Sequence, residues 1–173
     1  MTRIFTNLLH ITALFLVLGL PGAANFAEKA EKKENQLFIP NYFIEKPNGT
    51  VLDKRFNRIW QKCSYGQKYF HGYCREKPLA LSWEEAENYC NALELDQKNW
   101  RVPTLAELES IMEVRNSPPS IYFEIFSGIE PFEYWSFDSV LEESGLLRKV
   151  YSFYRGYSFS VAGGKYFIRC VKR

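Results

Sequence analysis

Four cysteines, Cys63, Cys74, Cys90 and Cys170, set the tightest limit on what this chain can fold into. Their even number and the lack of any C-x-x-C pair point away from zinc and toward two disulfides, provided the chain reaches an oxidising compartment. The N-terminus supplies that condition. Arg3 precedes an apolar stretch from Ile4 to Leu20, interrupted by Thr6, Asn7, His10 and Thr12. Pro21-Gly22 then breaks the helix, and Gly22-Ala23-Ala24 offers the small residues a signal peptidase accepts. This order reads as a secretory signal peptide over residues 1–24. The stretch falls short of the roughly 20 apolar residues a membrane anchor needs, so no transmembrane segment is expected after cleavage. No cysteine follows the apolar core to carry a lipid. The expected location is secreted, periplasmic or outer-surface. Four cysteines permit three connectivities, and their number alone does not choose among them.

Removing the signal leaves about 150 residues, the size of one domain. An aromatic content of 17% suits a small core filled by large side chains. Residues 25–40, rich in Ala, Glu and Lys, read as a solvated tether, with the domain running from 41 to 173. The charge of that domain is uneven. Glu143 is the last acidic residue, and Arg148, Lys149, Arg155, Lys165, Arg169, Lys172 and Arg173 follow unopposed.

Turn chemistry and periodicity divide the domain further. Pro47-Asn48-Gly49 predicts a turn, followed by an extended segment from Thr50 to Trp60. Asn48-Gly49-Thr50 is also a glycosylation sequon, read here as a turn. A Gly- and Tyr-rich loop lies between Cys63 and Cys74. Ser82-Trp83-Glu84-Glu85 and Thr104-Leu105-Ala106-Glu107 are capping boxes that open two helices. The first carries Trp83, Ala86, Cys90 and Leu93 at helical spacing, which turns Cys90 to the core. Leu105, Leu108, Ile111 and Met112 form the stripe of the second, and Ser117-Pro118-Pro119 is expected to end it. The helix carboxylates Glu84, Glu87, Glu107 and Glu109 are read as solvated faces placed well for the helix dipole. After an irregular stretch from Pro118 to Glu133, strands are expected over Tyr134–Val140, Val150–Tyr154, Tyr157–Val161 and Tyr166–Val171. Arg155-Gly156 and Gly163-Gly164 are the expected turns between them. Helices first and strands later make an α+β domain.

The residues offer little for catalysis. The mature chain has a single histidine, His71, and no G-x-S-x-G elbow or phosphate-cradling glycine loop. His71 is read as an ordinary loop residue. The chain is expected to be no enzyme and to need no metal or cofactor.

Several runs together resemble a bacterial family, the Lcl C-terminal domain family of collagen-like adhesins. They are Asn48-Gly49-Thr50-Val51-x-Asp53, Ile59-Trp60-Gln61, Trp83-x-x-Ala86, Trp100-Arg101-Val102-Pro103-Thr104-x-x-Glu107-Leu108, Tyr134-Trp135-Ser136 and Arg169-Cys170-Val171-Lys172. The Trp100–Leu108 run is the most specific. Arg55-Phe56-Asn57-Arg58 departs from the family pattern. The resemblance covers about Phe43 to the last residue. It implies a C-type-lectin-like fold with two helices, a small mostly antiparallel sheet and a long irregular loop. It also implies a bond from the first helix to the last strand, Cys90–Cys170, which leaves Cys63–Cys74 to close its own loop. Closing the longer loop is worth roughly 4 kcal/mol.

Lectin-like domains that hold calcium use oxygen-bearing motifs. Glu130-Pro131-Phe132 and Tyr134-Trp135-Ser136 lack the required oxygens, so binding is expected to ignore calcium. A distant branch of the fold generates formylglycine with reactive cysteines, but the pairs here read as structural. The family is associated with sulfated glycosaminoglycans. The basic segment, with Arg148, Lys149, Tyr154, Arg155, Tyr157, Lys165, Lys172 and Arg173, is therefore the expected ligand site. Its cations would pair with anionic groups and its tyrosines would stack on sugar rings. The expected function is an exported binding module for an anionic polysaccharide, with a structural or protein-binding envelope role as the alternative and a host or envelope protein as its partner. An exported location excludes nucleic acid.

Overall fold

The computed structural model describes residues 40–113, 121–122, 125–126 and 133–172, all within a unit that runs from Phe38 to Arg173. The expected signal peptide, residues 1–24, and residues 25–39 of the expected tether lie outside the described residues.

Asn48-Gly49 makes the first turn, with Gly49 at φ +80° and its amide donating to the Lys46 carbonyl. A Cβ there would meet the Tyr69 ring at 3.1 Å, so the position requires glycine on both counts. The turn joins β1 (Phe43–Lys46) to β2 (Thr50–Asp53). Thr50 to Trp60 is not one extended segment. Asp53 caps a hairpin turn by accepting from the Arg55 amide at 3.0 Å, Asn57 takes φ +49°, and the chain returns as β3 (Arg58–Gln61). The loop between Cys63 and Cys74 likewise holds a hairpin, β4 (Lys68–Phe70) and β5 (Tyr73–Arg75), with His71-Gly72 at its turn.

Both capping boxes form. Ser82 opens α1 (Trp83–Ala92) and Thr104 opens α2 (Leu105–Ser110), each with the reciprocal glutamate bond. The second helix ends at Ser110, well before the prolines, which lie outside the described residues. Its last carbonyls find partners there: the Arg55 guanidinium donates to Ser110 O at 2.7 Å, and the Ser110 hydroxyl donates to Glu107 O.

The remaining strands are β6 (Glu133–Glu142), β7 (Gly145–Ser152), β8 (Tyr157–Val161) and β9 (Val171–Lys172). The strand expected over Val150–Tyr154 starts earlier and stops sooner. Its outer half is half-buried throughout apart from the exposed Leu146 and carries no burial alternation to signal it, and Tyr154-Arg155-Gly156 belong to the next turn. Tyr166–Val171 is no continuous strand either. Tyr166 bridges to Leu81 and Phe167 to Tyr134, and only Val171–Lys172 joins a ladder, because this segment crosses between sheets. Gly163-Gly164 accordingly directs the chain toward Leu81 and does not fold it back along β8.

Among the described residues the strands are distributed over three sheets where one was expected, with orders β1-β2-β3-β9, β4-β5 and β6-β7-β8, and every ladder there is antiparallel. The fold is α+β, with two helices among the described residues. Two apolar clusters hold it. One gathers Phe43, Val51, Trp60, Leu108, Ile111, Tyr134 and Tyr151 around α2. The other places Ala86 and Cys90 of α1 against Trp100, Trp135, Val150 and Ile168. Alternation along β7 sends Val150 to one cluster and Tyr151 to the other, so the β6–β8 sheet is shared between them. Disulfides pair Cys90 with Cys170 across 80 residues and Cys63 with Cys74 across 11.

Candidate functional site

The most specific run in the sequence turns out to be architecture. Trp100 is buried and its indole N–H donates to Leu95 O at 2.6 Å. Arg101 forks onto Glu107 with contacts of 2.8 and 2.6 Å, and its backbone amide bridges to Val171. Arg58 reaches the same carboxylate at 2.9 Å. Burial alone would raise the Glu107 carboxyl, but hydrogen bonds from Arg101 and the Thr104 amide, with the charges of Arg101 and Arg58, hold it below the usual range. Arg58, from the segment that departs from the family pattern, thus joins this network.

The basic residues have several fates. Lys172 is buried: its ammonium donates to Asp96 O, lies 3.4 Å from the Asp96 carboxylate and sits over the Trp100 ring. Arg169 is fully buried, donates to Gln61 O, Lys62 O and Ser64 Oγ, and stacks on Phe126 at 4.8 Å. Burial pulls its pKa below the ordinary arginine value. Arg155 and Tyr157 hydrogen-bond to each other at 2.7 Å near the exposed β7–β8 turn, where Tyr154 is also exposed. A Cβ at Gly156 in that turn would come within 3.8 Å of Met112, which places the turn beside the C-terminal end of α2. Lys149 and Arg148 are consecutive in β7 and therefore point to opposite faces. Lys165 is exposed, 3.8 Å from Glu85. Arg173 lies outside the described residues, as does Glu130-Pro131-Phe132.

Arg148, by contrast, lines a cleft. Its guanidinium stacks on the Trp83 ring, 3.3 Å from the centroid. Among the described residues that guanidinium makes no hydrogen bond or ion pair, so its in-plane donors remain available. The cleft has a volume of about 330 Å³, at the small end for ligand sites. Trp83 and Glu84 form one wall, Leu146 and Arg148 the other, with Trp135 and Gly163-Gly164 completing the lining. Each piece is positioned by a local rule. Ser82 caps α1 and so puts Trp83 in its first turn. The Trp83 indole N–H donates to Ser136 O at 3.3 Å, and that of Trp135 donates to Leu81 O at 2.7 Å. Gly164, at φ +121°, brings its backbone against the Tyr166 ring, where a Cβ would sit 2.9 Å away. Sequence reasoning assigned Trp83 to the core and Gly163-Gly164 to a hairpin. It missed their role here because one capped helix start and one glycine pair meet only in space.

A larger hollow of about 500 Å³ lies between β1 and the β4–β5 hairpin, lined by Glu45, Tyr69, Phe70 and His71 among others. Its carboxylate is already engaged, since Glu45 pairs with the buried Lys62 and accepts from Tyr69 at 3.2 Å. The larger hollow has a cation in its lining too, Lys46; the Trp83–Arg148 cleft is smaller but holds a guanidinium fixed on an indole, and that geometry favours it. Among the described residues no cluster of His, Cys, Asp or Glu is arranged to hold a metal, and no helix is long and apolar enough to cross a membrane.

No curated protein and no solved structure matches the chain. A family model does, that of the Lcl C-terminal domain, over residues 49–172. This span takes in the Asn48–Asp53 turn from Gly49 onward, the Trp100–Glu107 network, both walls of the cleft and β9. The chain belongs to the Lcl C-terminal domain family.

Proposed function

We propose that this chain is an exported, lectin-like binding module that recognises an anionic glycan at the Trp83–Arg148 cleft, in the manner of an adhesin. The observation that carries the reading is the guanidinium held flat on Trp83 with its donor edge unpaired among the described residues. Stacking fixes the plane of the guanidinium, which then presents parallel N–H groups to a sulfate or carboxylate. Trp83, partly exposed beside the cation, supplies aromatic surface for a sugar, and the exposed Glu84 supplies an acceptor for hydroxyls. Lys165 adds a cation near the start of α1. Family membership supports an extracellular binding role, and the bond from the first helix to the segment before β9 fits the lectin-like reading.

Retention on a heparin-like column, eluted by rising salt, tests this. Arg148→Gln is expected to lose most of its retention, while Lys149→Gln on the opposite face keeps it. A chelator should change neither. Elution of Arg148→Gln at the wild-type salt concentration would sink the assignment.

A further inference from the structure

The cleft does not end at Arg148. Leu146, two residues earlier on β7, shares its face and lines the same wall. Directly across the ladder stands Leu141 of β6. Both leucines are open to solvent, Leu141 at 78% and Leu146 at 52%. Single exposed leucines are common and mean nothing by themselves. These two are cross-strand partners, and they continue the β7 wall of a cleft whose cation makes no hydrogen bond or ion pair among the described residues.

We infer that the ligand carries an apolar chain beside its anionic sugar, as a glycolipid does, with the hydrocarbon lying along Leu146 and Leu141. The inference rests on the reading of the cleft as an anionic-sugar site. Three observations choose this occupant. The strip is one residue pair wide, far below the roughly 800 Å² per partner of a stable protein interface. It starts at the cation, so charge and apolar surface follow one another as they do in an anionic amphiphile. Glu142 and Glu143 stand at the hairpin tip, and their carboxylates oppose plunging the hairpin itself into a bilayer. From Arg148 to Leu146 the strand spans about 7 Å, enough to cover several methylenes.

Calorimetric titration of the purified chain with octyl β-glucuronide, below its micelle concentration, and with free glucuronic acid provides the test. The octyl compound is expected to bind at least about tenfold more tightly, the gain from two or more methylenes leaving water. Leu141→Ser/Leu146→Ser should erase that advantage and leave the affinity for glucuronic acid within about twofold. Arg148→Gln should weaken both ligands. Equal affinity of the two ligands for the wild-type chain would overturn the apolar extension and leave the cleft assignment standing. Octyl glucoside binding as tightly as the glucuronide would also overturn it, because the chain would then act without the anion. Binding of neither acid would remove the cleft assignment, and the extension with it.

Discussion

Arg169 and Arg148 belong to the same basic run of sequence and do opposite work. Around Arg169, every neighbour is tied down: Cys170 is bonded to α1, the Cys170 amide donates to the Gln61 side chain at 3.1 Å, and Lys172 is pinned to Asp96. Around Arg148 the chain is an exposed hairpin whose cation rests on one indole. Net charge treats the two alike. Burial separates them, since a cation taken out of water must be given its hydrogen bonds by the protein, whereas one at a cleft mouth can keep donors for a ligand.

The strongest tie beside Arg169 is the Cys90–Cys170 disulfide. Replacing Cys90 and Cys170 together by alanine is expected to cost about 4 kcal/mol, and losing Cys63–Cys74 about 3 kcal/mol, because the closed loop is longer in the first case. Denaturant unfolding of the two double variants should rank them in that order. The reverse ranking would mean that α1 and β9 are held chiefly by packing.

Arg169→Met keeps the volume and removes the donors, leaving Gln61 O and Lys62 O short of a partner. A loss of about 3 kcal/mol is expected, with no change in anionic-glycan retention beyond the loss of folded protein. If the variant stayed as stable as wild type yet lost retention, Arg169 and Arg148 would have to exchange roles.

Glu107→Gln probes the network that links the family motif to β9. Loss of its charged contacts should cost about 2 kcal/mol near neutral pH. The Glu107 carboxyl is depressed in the fold, so its contribution is complete above the ordinary glutamate value of 4.5 and fades as pH falls below it. The gap in melting temperature between wild type and variant should therefore close in acid. A gap independent of pH would show that packing, not charge, is what the substitution removes. Smallest of all should be Lys149→Gln, whose stability is expected to change by no more than about 0.5 kcal/mol.

Much of the scaffold was legible before any coordinates. Both capping boxes are local, so four residues each sufficed to locate Ser82 and Thr104. The strand ends were less legible. Gly145–Lys149 lies at the margin of the core, where partial burial of every residue but Leu146 removes the alternation that marks a strand, and Tyr166–Val171 is extended without a single partner strand. The basic run held Arg148, which lines the cleft, but it also held Lys172, whose burial depends on Asp96 and Trp100 from far earlier in the chain.

By itself, then, the sequence determined what short-range chemistry can determine: the turn at Asn48-Gly49, two capped helices and the family to which the chain belongs. The tertiary structure alone decided that Arg169 and Lys172 are buried while Arg148 faces a cleft. That decision comes from contacts between residues far apart in the chain, Trp83 with Arg148 and Gln61 with Arg169, and no local pattern carries it. A guanidinium has the same charge in either setting. Whether it is buried among carbonyls or stacked at a surface is settled by the elements that close around it.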